Sequence, residues 1–587
     1  MSRYKFFILQ LFLMFSLAVQ AEERTLEQAR DVAYDFMVSR TQTKSSVIDL
    51  QLVYDGMDVA TRSSSSSPAY YVFDNAAGPG FVIVSGDDVA LPVLGFSDSF
   101  NFKTENMPSN LRWWLNTMRS QIEDLRSAGV PACRSAASVG NDVVRYETAL
   151  WNQGAPYYYD CPMYKGYHCV TGCGPTAIAI AMRARMWPDK GEGTIPSYTT
   201  ETEQIKVPAR ELGTPYDWTN MPLTDGTDEE KKPWNSTQKA EVARLIADIG
   251  AATEADYSPK STGILGYIVP AALSAYMKYD KSIYEAMRDY YSEKEWYPLI
   301  KREILNNPVI YSGSDSEGGH MFVLDGYTTS DFFHVNWGWG GAANGYYLLA
   351  ALNPEEQGYG ANELGTYNQY QSAIIGMKKD EGGESLDLIR YYTEDEGYNG
   401  LIDREIEFVQ NVSCTVNSGY YLNFGNTTYD GSIRIVVVRS DNSVKQIIVE
   451  ESVELEKGYA TYFPELSINI ESIEPGDCMI AQYYDNVSAE WKMVRGNTDN
   501  GVIESIELDK NTIERTTSLE YCHSTRSFTV RTKDGVSVEC SSSDGESVAV
   551  MKNSDGTHTI SMEGCKVGGY YIDFSDGRES KRIGIKL

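Results

Sequence analysis

The sequence is poor in basic residues, in cysteine and in histidine, and each shortage narrows what the protein can be. Lysine and arginine number 51 against 82 acidic residues, and the resulting formal charge of −31 repels nucleic-acid backbones and anionic lipid surfaces. Nine cysteines in 587 residues are too few for a disulfide-built scaffold, and their odd number leaves at least one thiol without a partner in the chain. We therefore expect no nucleic-acid partner, and we expect a free reactive thiol.

Long apolar runs are absent after the first twenty residues. Residues 6–19 form a short, mostly apolar stretch behind Arg3 and Lys5, and the small residue Ala21 closes it. This pattern predicts a signal peptide over 1–21. No later segment is long and apolar enough to span a bilayer, so we expect a secreted or cell-surface protein without membrane insertion.

The first part of the mature chain, 22–140, is predicted to be a compact α+β unit. Apolar residues recur at helical spacing from Thr25 to Ser39 and again from Asn110 to Ser127. Short strand-like runs lie between these two helices. The small and polar residues of 128–144 are typical of an exposed connector that is open to proteolysis.

Two further regions follow and differ in pattern. Region 141–380 mixes helices with strongly aromatic strands, and a charged, glycine-containing stretch marks its end. Beyond it, short alternating strands separated by Asp-Gly turns predict two β-sandwich modules, 386–500 and 501–587. The expected fold class is thus α+β, followed by all-β, Ig-like sandwich modules at the C-terminus.

The most informative segment, Thr171 to Ala177, places Cys173 at the start of a predicted helix. The stretch from Pro175 to Met186 is rich in alanine, which favours a helix, and proline is tolerated in a first turn. Unpaired amides and the helix dipole at this end favour a thiolate, so we expect a lowered pKa for Cys173. A cysteine with a histidine and an asparagine far downstream is typical of a thiol-nucleophile hydrolase.

Two histidines fit the role of general base. His320 begins an apolar strand, and a turn at Thr328 leads into the strand that carries His334 and Asn336. If this hairpin is symmetric about Thr328, His320 stands opposite Asn336, with Cβ atoms about 5 Å apart, and Asn336 could orient the imidazole. His334 shares that face and is the weaker candidate. The other histidines lie in a tyrosine-rich loop or in the β-rich tail: His168, His523 and His558.

Further motifs frame these residues in a fixed order. They are Trp151-Asn152-Gln153, Ala155-Pro156-Tyr157, Gly172-Cys173, Trp187-Pro188, Gly319-His320 and His334-Val335-Asn336-Trp337-Gly338-Trp339-Gly340-Gly341. Together they resemble the streptopain family of papain-like cysteine peptidases. The segments Tyr70-Tyr71-Val72-Phe73 and Gly80-Phe81-Val82-Ile83-Val84-Ser85-Gly86-Asp87-Asp88 resemble that family's inhibitory prodomain.

The resemblance implies a secreted cysteine endopeptidase made as a zymogen, with a prodomain over 22–140 and a papain-like peptidase domain over 141–380. Its partners would be protein or peptide substrates and its own prodomain as an intramolecular inhibitor. Neither a metal nor an organic cofactor is expected. The implied site consists of Cys173 as nucleophile, His320 as general base and acid, Asn336 as its orienting partner, Gln153 as oxyanion-hole donor and Trp337 as a shield over the His320–Asn336 contact.

Other interpretations stay open. Cys161, His168, Cys169 and Cys173 could bind zinc, although their spacing matches no common zinc site and a Cys161–Cys169 disulfide is the more ordinary expectation in a secreted chain. The long β-rich tail is also compatible with a catalytically inactive binding or adhesion protein on a peptidase-like scaffold. Acyl transfer to an amine by the same residues is a third possibility.

Overall fold

The computed structural model divides the chain into two compact units, one reaching Leu386 and the other holding nearly all that follows. The expected signal peptide falls almost wholly outside the described residues. No helix among those described is long and apolar enough to cross a membrane. The structure describes residues 21–586 except 41–46, 56–66, 106, 130–131, 134–139, 225–232, 316–317, 351–370, 393–399, 403–407, 497–501, 509–516, 523–524, 533–534, 544, 555, 567–568 and 576–579.

The N-terminal part, residues 21–127, combines two helices with four antiparallel strands. Its elements are α1 (Leu26–Arg40), β1 (Leu50–Tyr54), β2 (Tyr70–Asn75), β3 (Phe81–Ser85), β4 (Val93–Ser97) and α2 (Ser109–Ser127). Helix α1 buries Ala29, Ala33 and Phe36, which share one face, and it packs on β2 and β3. Helix α2 packs against strands of the region that follows it.

The central part, residues 142–379, carries most of the helices. Its elements are β5 (Asp142–Arg145), β6 (Met163–Tyr164), β7 (Tyr167–His168), α3 (Cys173–Arg185), β8 (Thr194–Ile195), β9 (Tyr198–Thr199), β10 (Lys206–Val207), β11 (Arg210–Glu211), α4 (Ser236–Ala252), α5 (Val269–Tyr276), β12 (Tyr284–Met287), α6 (Glu293–Ile304), β13 (Val309–Asp315), β14 (Gly318–Thr328), β15 (Phe333–Asn336), β16 (Gly345–Tyr347) and β17 (Ser372–Ile375). Helix α3 starts at the predicted cysteine.

One antiparallel sheet runs through both parts. Its strand order is β1-β2-β3-β4-β16-β15-β14-β13-β17-β12, and β5 pairs with β14. At the junction, Phe96 of β4 pairs with Tyr346 of β16, and Gly95 pairs with Tyr347. Gly95 is required for this close approach, because a β-carbon there would lie 2.7 Å from the Tyr347 ring. The N-terminal part is therefore joined to the central part by main-chain hydrogen bonds as well as by side chains.

Strand β14 separates two hydrophobic cores. Met321 and Val323 belong to the core built by α3, α4 and α5, whereas Phe322 and Leu324 belong to the core shared with the N-terminal part. This division follows from the alternation of side chains across a strand. The residues of β14 up to Leu324 can therefore be assigned to the face of α3 or to the face of α2.

The C-terminal unit is all β, as predicted. Its strands are β18 (Ile389–Tyr391), β19 (Cys414–Val416), β20 (Tyr421–Asn423), β21 (Tyr429–Val438), β22 (Val444–Leu455), β23 (Ala460–Thr461), β24 (Leu466–Ile468), β25 (Cys478–Asp485), β26 (Glu490–Met493), β27 (Ser505–Glu507), β28 (Ser518–Cys522), β29 (Ser527–Arg531), β30 (Ser537–Ser542), β31 (Ser547–Val548), β32 (Val550–Lys552), β33 (His558–Ser561), β34 (Gly569–Ser575) and β35 (Ser580–Lys586). They enclose two separate large cores, and a third, small apolar cluster lies on β21 and β25.

The boundary between these cores lies further along the chain than the expected position at residue 500. Strand β27 pairs with β25, and Leu508 is buried in the first core. The second core is a sandwich, because Val530 and Ile560 from one four-stranded sheet meet Ile572 and Phe574 from another. The break in pattern near residue 500 is therefore internal to the first module.

Candidate active site

Cys173 occupies the first position of α3, as the sequence predicts. The preceding residue, Gly172, has φ of 82°, and a β-carbon there would lie 2.3 Å from the carbonyl oxygen of Thr262. Only glycine satisfies both conditions. Behind the turn, the hydroxyls of Thr171 and Thr176 are 2.8 Å apart, and the Thr176 hydroxyl donates to the Gly172 carbonyl at 2.7 Å. The start of α3 is thus fixed by the backbone and by buried hydroxyls.

The thiol of Cys173 lies against β14. Its Sγ accepts the backbone N–H of Met321 at 3.4 Å. Burial raises the pKa of Cys173, while the N–H groups of Met321, Gly174 and Cys173 itself lower it by a smaller amount. The predicted lowering of the Cys173 pKa is therefore wrong in this structure. The backbone N–H groups at the start of α3 do stabilise the thiolate, but the loss of solvation on burial outweighs them.

His320 directly precedes Met321 in the chain, so the backbone of His320 lies beside the thiol. The cross-strand partner of His320, however, differs from the prediction. His320 pairs with Gly313 of β13, whereas Asn336 pairs with Val323. The predicted His320–Asn336 pairing is wrong because Thr328 is still within the strand, and a bulge lies between Leu324 and Gly326. By alternation His320 lies on the face of Phe322, and Asn336 on the face of Val323.

The side chain of Asn336 is fully buried, and its hydrogen bonds fix its orientation. Nδ2 donates to the Thr148 hydroxyl at 3.0 Å and to the Ala149 carbonyl at 2.9 Å, and Oδ1 accepts the Gly338 N–H at 3.1 Å. Trp337 is also buried; its ring centroid lies 4.9 Å from that of Phe322.

The buried side chains of His334 and Asp325 form an ionic cluster with Arg145, whose side chain is partly exposed. The His334 Nδ1 lies 2.6 Å from Oδ1 of Asp325, and the His334 Nε2 lies 3.0 Å from a guanidinium nitrogen of Arg145. Because a guanidinium can only donate, Nε2 must accept, and Nδ1 must carry the hydrogen that binds Asp325. His334 therefore has a fixed neutral tautomer, and both of its ring nitrogens are engaged.

Gln153 approaches the nucleophile through the backbone. Its carbonyl oxygen accepts the N–H of Thr171 at 3.2 Å, two residues before Cys173. Its side-chain Nε2 is buried and makes no hydrogen bond within the described structure. A buried donor without an acceptor costs free energy, which makes it available to an oxygen atom that enters the site.

Helix α2 of the N-terminal part covers this region. The Asn110 side chain is buried and donates to the carbonyl oxygens of Trp337 at 2.7 Å and of Met321 at 3.3 Å. One turn on, the Trp113 ring covers Gly313, where a β-carbon would lie 2.0 Å from Cζ2. Asn110 thus binds β14, which carries His320, and the residue that follows Asn336, while Trp113 packs on Gly313, the cross-strand partner of His320.

The cysteines and histidine proposed for a zinc site have other environments. Cys161 and Cys169 are free thiols in an apolar cluster, and burial raises their pKa values to about 12 and about 11. The expected Cys161–Cys169 disulfide is therefore not formed. His168 stacks on Tyr158 with ring centroids 4.9 Å apart. Among the described residues, no group of three His, Cys, Asp or Glu side chains is arranged to hold a metal ion.

Sequence reasoning missed two groups of residues at this site. One is Asn110 and Trp113, because the apolar stripe of α2 gives no sign of a second contact face. The other is the partners of His334. Asp325 had a detectable signal, since a carboxylate within the apolar run of β14 requires a buried partner.

Comparison with known proteins identifies a family for each of two parts of the chain. Residues 151–347 match the Peptidase C10 family, and residues 20–122 match the Spi protease inhibitor family. A cysteine at the start of a helix that packs on an antiparallel sheet, together with an inhibitor-like N-terminal part, defines the protein as a cysteine peptidase zymogen.

Individual relatives place it more closely. Streptopain of Streptococcus pyogenes is 31% identical over 378 residues, which span 60% of this chain and 92% of that protein. The thiol protease/hemagglutinin PrtT of Porphyromonas gingivalis is 30% identical over 393 residues, spanning 64% of this chain and 44% of that protein. The chain belongs to the Peptidase C10 family. A solved fragment of prointerpain A from Prevotella intermedia is 25% identical, covering 56% of this chain and 98% of the fragment with a TM-score of 0.46.

Proposed function

We propose that this protein is a secreted cysteine endopeptidase whose nucleophile is Cys173 and whose general base and acid is His320. The observation that carries this proposal is the 3.4 Å contact between Sγ of Cys173 and the backbone N–H of Met321, the residue bonded to His320. That contact supports the proposal because it brings the backbone of His320 close to the thiol, and the imidazole has to turn from the face of α2 to reach Sγ. His334 is a poor alternative base, because both of its nitrogens are engaged.

The proposed reaction follows from these positions. The Cys173 thiolate attacks the scissile carbonyl, and Gln153 Nε2 and the Cys173 amide stabilise the oxyanion. His320 gives its proton to the leaving amine and then takes a proton from water, which cleaves the thioester and restores the thiol. Asn336 orients the imidazole, and Trp337 excludes water from their contact.

The prodomain would hold the enzyme inactive through α2. Asn110 binds the carbonyl oxygens of Met321 and Trp337, and Trp113 packs on Gly313, the cross-strand partner of His320, on the face where alternation places the imidazole. Burial of Cys173 at the same time keeps its thiol protonated. Removal of α2 would free His320 to turn towards Cys173 and Asn336.

Loosening α2 is expected to accelerate prodomain removal. In the Cys173→Ala background, Gly313→Ala forces a methyl group against the Trp113 ring, because β14 and β17 hold the backbone of β13 on both sides. Overpacking of this kind costs about 1–3 kcal/mol, so added trypsin should separate the prodomain about tenfold faster. The rate can be followed by gel electrophoresis.

Gly319→Ala is the matched control, since its nearest neighbour in the same hairpin lies 4.0 Å from a built β-carbon. Equal cleavage rates for the Gly313→Ala and Gly319→Ala variants would contradict the proposal that a methyl group pressed against the Trp113 ring loosens α2. In a double variant, Trp113→Ala should abolish the effect of Gly313→Ala.

The function itself is tested on the secreted protein. We expect N-terminal sequencing of the active form to find a new terminus between about 130 and 150, with casein digestion that iodoacetamide abolishes. An inert wild type after prodomain removal would favour a binding or adhesion role instead. Ligation of peptides to an added amine, in place of hydrolysis, would favour acyl transfer.

A further inference from the structure

We infer that Arg145 and Thr148 are positioning residues for Asn336, and that the mature enzyme must therefore keep the strand β5. The inference rests on the proposed function, in which Asn336 orients His320. It is carried by a chain of buried hydrogen bonds that begins at Asn336 and ends at Asp325, away from the thiol.

The direction of this chain is fixed by its donors. Asn336 Nδ2 donates to the Thr148 hydroxyl at 3.0 Å, and that hydroxyl donates to Oδ2 of Asp325. An ionised carboxylate can only accept, so the Thr148 oxygen must turn its lone pair towards Asn336. The second Nδ2 hydrogen binds the Ala149 carbonyl. A flipped amide would set two oxygens against each other, so Asn336 Oδ1 is held on the opposite side, near the N–H of Gly338.

Asp325 anchors this chain of hydrogen bonds only while the charge of its carboxylate is compensated. The side chain is 0% exposed, and a buried carboxylate without a partner is strongly destabilising. Arg145 supplies the positive charge, with Nη1 2.9 Å from Oδ1, and the neutral His334 donates to the same oxygen at 2.6 Å. Without Arg145, the buried carboxylate would lose the cation that compensates its charge, and the Thr148 hydroxyl would lose a firmly held acceptor.

Both positioning residues lie at the N-terminal edge of the peptidase domain. Arg145 pairs with Gly326 across β5 and β14, and the N–H of Tyr146 donates to the Asp325 carbonyl at 2.7 Å. A cut before Asp142 leaves this strand in place, whereas a cut after Arg145 removes the cation. The position of the activating cut would thus decide whether the catalytic asparagine is correctly oriented.

The test measures kcat and KM of the activated full-length chain on a fluorogenic peptide. Thr148→Val keeps the shape and removes the hydroxyl, and we expect kcat to fall about tenfold with KM changed by less than about twofold. Thr148→Ser should restore kcat to within about twofold of wild type. Thr253→Val is the matched control, because it deletes a fully buried hydroxyl that binds the Ile249 carbonyl in α4.

Wild-type kcat in a folded Thr148→Val variant would overturn the inference, as would a fully active species whose N-terminus lies beyond Arg145. Neither result would affect the proposed function, which depends on Cys173 and His320 and is tested by Cys173→Ala. If kcat fell in the Thr253→Val control as much as in Thr148→Val, the loss would be explained by lower stability alone. That result would also overturn the inference.

Discussion

Cys173→Ala is expected to lower peptide-bond hydrolysis by at least about 10⁴-fold, because no other group at the start of α3 can form the thioester. The prodomain of the variant should also remain attached in the absence of another protease, if the enzyme removes it from itself. The measurement is kcat/KM on a fluorogenic peptide after activation by an added protease, which is then inhibited.

Cys169→Ala is the control for this experiment. It removes a neighbouring thiol whose pKa is raised to about 11 by burial and which lies in a different hydrophobic cluster. We expect nearly full activity from it and full labelling of Cys173 by iodoacetamide. Activity that survives Cys173→Ala but not Cys169→Ala would show that the nucleophile is Cys169 and not Cys173.

Gln153→Ala is expected to lower kcat by about 10²–10³-fold with little change in KM, because the oxyanion forms only after substrate has bound. The buried, unpaired Nε2 of Gln153 is the structural basis for this expectation. The measurement is the steady-state hydrolysis of the same peptide across a range of concentrations.

Alkylation provides an internal control for the glutamine. Displacement of iodide from iodoacetamide develops no oxyanion, so the labelling rate of Cys173 in Gln153→Ala should match that of wild type. A parallel loss of hydrolysis and alkylation would show that Gln153 supports the structure around the thiol, and would remove its proposed role in the transition state.

The local parts of the site were predictable from the sequence. The helix that begins at Cys173 follows from alanine propensity and from a proline tolerated in the first turn, and the structure bounds it at Cys173–Arg185. The helix predicted over Asn110 to Ser127 appears as Ser109–Ser127 for the same reason. In each case the residues that favour the helix lie within the helix or next to it.

The relations between distant segments were not predictable in the same way. The hairpin register depends on a bulge after Leu324 and on where the turn closes, and a shift in that register moves His320 away from Asn336. The partners of Asp325 come from β5 and β15, and only the folded sheet brings them together. The raised pKa of Cys173 likewise depends on burial, which the sequence of α3 does not contain.

The pairing of β4 with β16 has a consequence for activation. Phe96 stacks on Tyr346 with ring centroids 5.0 Å apart, beside the ladder that joins the two strands. Cutting the connector breaks none of these bonds, so a nicked precursor should hold its severed propeptide as a tightly bound inhibitor. Full activity would then arrive only once that fragment is itself digested, and its departure would leave β16 as an open strand edge.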